Sequence, residues 1–201
     1  MKDTREIVLF FDENVEYTPI NIAQELISRY PELGSPIILP VSNNKKAPLI
    51  VFNENSDIQI QANFNNFTVI FNHKYFDKTT SIVFDIVDTF ESINIKFVRI
   101  GCVESVFLSP KYVDKCKSRY LNMDNVGDVE EINLSWYFRL NVKDKDINAW
   151  ERLITDSKHF SDLLCQYDFN TPVGEKVDLD MKYIKEFFKV TAEFIESRTD
   201  Y

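Results

Sequence analysis

Two aspartates near the C-terminus form the pattern closest to a metal site. Asp178 and Asp180 are separated by Leu179, so an extended backbone would point both carboxylates to the same side, as a Mg²⁺ site could use. Asp180 also precedes a helical pattern, where its side chain can accept hydrogen bonds from free backbone N–H groups. Asp178 would then favour the positive end of that helix. We therefore expect helix capping here, and we predict no cofactor.

An acidic group in the middle of the chain is a candidate partner-binding site. Its members share one polar segment and are Asp124, Asp128, Glu130 and Glu131. Their carboxylates could imitate nucleic-acid phosphates and occupy a basic partner, whereas a solvated loop would have the same composition. Acidic nucleic-acid mimicry is therefore kept as an alternative function.

The clearest alternation in the chain runs from Glu130 to Val142. Apolar residues, among them Trp136 and Phe138, occupy every second position, and polar residues lie between them. This period of two predicts a strand with one buried and one wet face. Tyr137 and Arg139 fall on the polar side, and both residue types are enriched at protein interfaces. They are our further candidates for partner binding.

Glycine, histidine and cysteine usage excludes several catalytic classes. The four glycines are isolated, so the sequence has neither a phosphate-binding loop, nor a dinucleotide-binding turn, nor a nucleophile elbow. Neither histidine has a second histidine or a cysteine at zinc-ligand spacing. The three cysteines form no Cys-x-x-Cys pair, and we expect them to pack as small apolar groups. We predict no catalytic residues. A Mg²⁺-dependent nuclease or phosphotransfer enzyme that uses scattered carboxylates such as Asp178 and Asp180 is the enzymatic alternative.

Hydrophobic periodicity divides the chain into strands and helices. The predicted strands cover residues 6–15, 48–53, 57–63, 67–72, 95–108, 130–142 and 163–169. The predicted helices cover residues 19–30, 79–93, 146–156 and 180–197, with a further short helix that begins at Ser109. The helix over 146–156 depends on the spacing of Ile147, Trp150 and Ile154. At Gly101, inside a strand, we expect a bend or bulge.

Strands outnumber helices and several follow one another directly. This order predicts an α+β fold, a largely antiparallel sheet covered by helices, with a long C-terminal amphipathic helix. The connection over residues 32–46 contains Gly34, Pro36 and Pro40 and is the one plausible division. We expect a single domain over residues 1–201.

Charge and composition limit the partners and the compartment. The net charge of −9 argues against direct nucleic-acid binding, because the phosphate backbone attracts cations. No apolar run approaches the roughly 18 residues of a membrane span, and the N-terminus lacks the pattern of a signal peptide. Together with cysteines in no disulfide pattern, these features predict a cytoplasmic protein without membrane partners.

Short motifs in a defined order carry a family resemblance. They are the strand sequence Glu6 to Phe11, a helix that ends at Tyr30-Pro31, the strand sequence Val98 to Gly101, the segment Val177 to Met181, and a terminal helix. This order resembles a sporadically distributed family of uncharacterised bacterial α+β proteins. The resemblance implies no catalytic residues, and the family's sporadic distribution is consistent with genes of mobile elements, phage and anti-phage conflict.

These observations favour a non-enzymatic protein that binds another macromolecule, and we expect that partner to be a protein. A narrower hypothesis is an accessory or inhibitory factor of a phage or mobile element that acts on a bacterial defence complex. We also expect self-association into a homo-oligomer.

Overall fold

The structure is a computed structural model that describes most of the 201 residues. The described residues are 3–12, 19–31, 35, 37–38, 49–52, 58–62, 65–108, 133–155 and 163–198. The predicted short helix after Ser109, and the acidic group Asp124, Asp128, Glu130 and Glu131, lie outside them.

One antiparallel sheet contains nine strands and runs through the described part of the chain. In chain order the strands are β1 (Thr4–Phe11), β2 (Ile37–Ile38), β3 (Leu49–Phe52), β4 (Ile58–Ala62), β5 (Asn66–Asn72), β6 (Phe97–Leu108), β7 (Asn133–Val142), β8 (Lys145–Thr155) and β9 (Leu163–Asn170). Their order across the sheet is β2-β3-β4-β5-β1-β6-β9-β8-β7. The first strand of the chain therefore lies at the centre, and β7 lies at one edge.

Three α-helices lie within the described part of the chain. They are α1 (Pro19–Arg29), α2 (Thr79–Ser92) and α3 (Met181–Glu196), and a 3₁₀ helix over His73–Lys78 leads directly into α2. Pro31 follows α1 closely, as expected for a residue that cannot continue a helix. At the start of α3, Asp180 is in an extended conformation and accepts a hydrogen bond from the Tyr183 backbone N–H at 2.6 Å. The fold is thus α+β, as predicted, and α3 is 16 residues long.

The core lies between one face of the sheet and the helices. Alternate residues of β1, among them Ile7 and Leu9, are fully buried. On α2, Phe90 contacts the rings of Phe67 and Phe97 at centroid distances of 4.9 and 4.7 Å. The helices therefore cover one face of the sheet, and the alternation of each strand leaves the other residues on the opposite face.

The prediction of a helix over residues 146–156 is wrong, because this segment lies in β8. Its buried residues are Ile147, Ala149, Glu151 and Leu153, which alternate with partly exposed residues. Ala149 and Glu151 are helix formers, so they hide the period of two in the sequence. Lys143 and Asp144 have φ of 48° and 63°, the left-handed conformation of a tight hairpin turn between β7 and β8.

Two smaller expectations also differ from the structure. Gly101 pairs regularly with Val8, and the register between β1 and β6 shifts instead between Phe10 and Phe11, beside Val98. The connection over residues 32–46 includes the two-residue strand β2, which is too short to leave a periodic signal. The other predicted strands and helices within the described residues are present, with ends shifted by up to four residues.

Among the described residues, no helix combines the length and the apolar character needed to cross a membrane.

Candidate protein-binding face of the sheet

The face of β7, β8 and β9 that points away from the helices carries the candidate site, and we call it the β7–β9 open face. The pairing register places its side chains in rows. Tyr137 of β7 lies opposite Trp150 of β8, which lies opposite Asp168 of β9. The two flanking rows are Arg139–Asn148–Asn170 and Ser135–Arg152–Gln166.

The two aromatic rings of this face contact each other across β7 and β8. The centroids of Tyr137 and Trp150 are 4.8 Å apart, with an angle of 51° between the ring planes. Tyr137 is 45% exposed, which makes it one of three large apolar residues exposed among those described. The Arg152 guanidinium lies 5.8 Å from the centroid of the Trp150 ring. The centre of the face is therefore aromatic, and Arg152 lies next to it.

Hydrogen bonds connect the polar side chains of this face into a chain. The Tyr137 hydroxyl donates to Asn148 Oδ1 at 2.8 Å. Asn148 Nδ2 then donates to Asn170 Oδ1 at 3.1 Å, and Asn170 Nδ2 donates to Asp168 Oδ1 at 3.2 Å. Because each side chain is held by a neighbour, the face is ordered before any partner arrives, which lowers the entropy lost on binding.

Both arginines of the open face are paired with acids. Arg152 lies 3.3 Å from Asp168 and donates to Gln166 Oε1 at 3.0 Å. Arg139, with a side chain 70% exposed, lies 3.9 Å from Asp146, and its Nε donates to the Tyr137 hydroxyl at 3.4 Å. This hydrogen bond with Tyr137 raises the pKa of the Arg139 guanidinium, which stays cationic. The charge of the face is therefore nearly balanced.

A further carboxylate extends the open face towards the centre of the sheet. Glu6 of β1 lies opposite Val103 of β6, and Val103 lies opposite Asp168. Burial raises the pKa of Glu6, and the negative charge of Asp168 raises it further.

The structure places Asp178 and Asp180 on the same side of an extended segment, both exposed. They line one cavity together with Lys143, Lys145 and Lys176. Asp180 caps α3, and its hydrogen bond from the Tyr183 N–H lowers the pKa of its carboxyl group. Lys143 Nζ lies 3.6 Å from Asp180 Oδ1, and both side chains are exposed. The capping interpretation therefore accounts for the geometry of Asp180.

The described histidine and cysteines lie outside the β7–β9 open face. His73 is exposed at the start of the 3₁₀ helix, with its ring 5.1 Å from that of Phe76. Cys102 and Cys165 are buried in the core, and burial raises the pKa of the Cys102 thiol. Among the described residues, no group of three or more His, Cys, Asp or Glu side chains could hold a metal ion.

The candidates Tyr137 and Arg139 stay predictions, and sequence reasoning did not propose the residues that lie beside them on the sheet. Trp150 and Arg152 belong to the segment that was expected to be helical, and Asp168 and Asn170 are outward-facing polar residues of β9. One signal could have found β8. The strong alternation of β7 is followed by the polar sequence Asn-Val-Lys-Asp-Lys-Asp, which is typical of a hairpin turn and calls for a second strand.

Comparison with known proteins identifies no family. No known family model matches the chain, and no curated protein is significantly similar to it. Among solved structures, the chain is similar to Methanococcus jannaschii TBP, with 9% sequence identity over 96% of this chain and 99% of that one, and a TM-score of 0.33. A TM-score this low carries no argument about fold or function. The resemblance to an uncharacterised bacterial family stays a prediction.

Proposed function

We propose that this protein works by binding another protein through the β7–β9 open face. The observation that carries the proposal is the Tyr137–Trp150 pair, partly exposed and flanked by Arg139 and Arg152. Tyrosine, tryptophan and arginine are the residue types that contribute most to binding energy at protein interfaces. Burial of an aromatic ring lowers its free energy relative to exposure to water. Two rings that a folded monomer leaves partly exposed side by side are therefore typical of an interaction site.

The charges of the face support a protein partner rather than a nucleic acid. Binding to a phosphate backbone needs cations that can release condensed counterions. Here Arg152 is already paired with Asp168, and Arg139 faces Asp146, while the whole chain carries a net charge of −9. A partner of mixed polar and aromatic character suits this surface better.

The other hypotheses stay predictions from the sequence. The Mg²⁺-dependent enzyme would use Asp178 and Asp180, of which Asp180 caps α3 and lies 3.6 Å from Lys143. Acidic mimicry depends on residues that lie outside the described part of the chain. The narrower hypothesis of a phage or mobile-element factor acting on a bacterial defence complex depends on the family resemblance, and cytoplasmic localisation depends on composition.

Binding measurements on matched variants test the proposal. A tagged form of the protein is used to capture a partner from the cells in which the protein is naturally expressed. The dissociation constant of the purified complex is then measured. We expect Trp150→Ala and Tyr137→Ala each to weaken binding by about 30-fold, since a central interface residue contributes about 2 kcal/mol.

The matched control is Ile37→Ser, which removes an exposed apolar residue from β2 at the far edge of the same sheet. We expect this control to bind like the wild type. Melting temperatures of all variants are compared first, so that loss of binding is not confused with unfolding. Equal affinity of the wild type and both aromatic variants for the captured partner would contradict the proposal.

A further inference from the structure

The edge strand β7 is long, regular and almost free of charge. It pairs with β8 over ten residues without a register shift, and among the described strands β8 is its one neighbour. Its sequence, Asn-Leu-Ser-Trp-Tyr-Phe-Arg-Leu-Asn-Val, contains no proline and a single charged residue, Arg139. Every second backbone N–H and C=O group of such a strand points away from its neighbour and needs a partner.

Natural sheets protect their edges with short strands, lysines, prolines or bulges. The opposite edge of this sheet follows that rule, since β2 has only two residues. The β7 edge has none of these devices. Within the described residues, this difference singles out β7 as the edge suited to receive another strand, because a ten-residue edge without such devices promotes association.

We propose that a second copy of this chain pairs with β7 in antiparallel fashion, around a two-fold axis that is perpendicular to the sheet and passes midway between the two copies of Tyr137. Such an axis keeps the open face on one side and the helix face on the other, since residues of the same parity lie opposite each other. Residues 133 to 141 then pair with the same residues of the second copy.

The side chains of β7 are complementary to themselves in this register. On the helix face, Leu134 lies opposite Leu140 and Trp136 lies opposite Phe138, so apolar rows meet. On the open face, Asn133 lies opposite Asn141, Ser135 lies opposite Arg139, and Tyr137 lies opposite its own copy. No pair places like charges together. Aromatic and apolar cross-strand pairs of this kind stabilise a sheet.

The charge of β7 favours a second copy despite the net charge of −9. Across the ten residues of β7 there is one arginine and no acid, so the contact region escapes the repulsion between acidic surfaces. At physiological ionic strength, charges farther away than about 8 Å are largely screened. The dimer would also place two Tyr137–Trp150 pairs on one continuous face.

Variants that place a charge at position 137 test this register, because Tyr137 would face its own copy across the axis. We expect the wild type to sediment as a dimer. Tyr137→Lys and Tyr137→Glu should each weaken dimerisation by roughly tenfold or more, since each places like charges opposite each other. An equimolar mixture of the two variants should restore the dimer, because the introduced lysine of one copy would then face the introduced glutamate of the other.

The controls distinguish this inference from the proposed function. Trp150→Ala alters the open face but lies on β8, so it should leave the dimer intact while it weakens partner binding. A monomeric wild type would overturn the dimer and leave the binding face untouched. Dimers that persist equally in both charged variants would overturn the β7 contact. If Tyr137→Glu alone dimerised and Tyr137→Lys did not, the position would face Arg139 instead, which would overturn the Tyr137-centred register.

Discussion

Two arginine–carboxylate pairs on opposite faces of the sheet differ in what surrounds them. On the helix face, Arg5 of β1 lies 2.7 Å from Glu104 of β6, with side chains only 17% and 9% exposed. On the open face, Arg152 of β8 lies 3.3 Å from Asp168 of β9, with side chains 33% and 22% exposed. The residue types are almost the same, but the helices cover only the first pair.

The surroundings explain the difference in role. Arg5 also donates hydrogen bonds to the Phe76 carbonyl at 3.2 Å and to Thr79 Oγ1 at 3.4 Å, and its guanidinium lies 4.2 Å from the Phe76 ring centroid. It therefore ties β1 to the 3₁₀ helix and to the start of α2. Arg152 instead contacts side chains of its own surface. The buried pair therefore stabilises the packing of the helices on the sheet, whereas the more exposed pair is part of the open face.

Replacement of the arginine should lower the free energy of unfolding most at the buried pair. We expect Arg5→Met to lower the free energy of unfolding by about 3–5 kcal/mol, because Glu104 would remain buried without a cation. Arg152→Met should lower it by less than about 1 kcal/mol, since water can solvate Asp168. Urea denaturation of the two variants measures the difference directly. Equal losses at the two sites would contradict the comparison.

Replacement of both charged residues of the buried pair should restore most of the stability that Arg5→Met loses. We expect the double variant Arg5→Met/Glu104→Leu to lie within about 2 kcal/mol of the wild type, because apolar residues of similar volume often replace a buried ion pair without loss. The same denaturation experiment, with the single variant Glu104→Leu, completes a double-mutant cycle. A double variant as unstable as Arg5→Met would show that the hydrogen bonds of Arg5, rather than its charge pair, hold the structure.

The smallest effect is expected from Glu6, the acid on the open face whose pKa is raised. A carboxyl group with a higher pKa in the folded state destabilises the fold once it is ionised, so stability falls as pH rises through that pKa. We expect Glu6→Gln to raise the melting temperature at pH 7 slightly, and to have no effect well below the ordinary pKa of 4.5. The exposed Glu25→Gln on α1 is the control, expected to show no such gain. A lower melting temperature for Glu6→Gln at pH 7 would contradict this sign.

Much of the fold could be predicted from hydrophobic periodicity. The alternation of β7 placed Trp136 and Phe138 towards the helices and Tyr137 and Arg139 away from them, as the structure confirms. The same rule failed at β8, where Ala149 and the buried Glu151 interrupt the apolar pattern. Glu151 is 2% exposed and its Oε2 lies 3.9 Å from Arg198 Nε, a contact from the end of α3 that no local pattern could show.

The candidate site could be predicted only in part. A strand shows which of its residues share a face, but the partners of those residues depend on strand order and register. The contact of Tyr137 with Trp150 needs the β7–β8 hairpin, and the contact of Arg152 with Asp168 needs β9 to return beside β8. The hydrogen bond between Asn148 and Asn170 can likewise be predicted only when the pairing of β8 with β9 is known.

The central position of β1 has a consequence for how the chain reaches its native state. This strand is the first in the chain, yet both of its neighbours come much later, and Arg5 finds Glu104 at a sequence separation of 99 residues. Contacts between residues so distant along the chain require large loops to close, which costs entropy before any contact is gained. Antiparallel sheets built from such contacts form in milliseconds to seconds rather than microseconds. We therefore expect slow refolding, limited by the arrival of β6 beside the first strand.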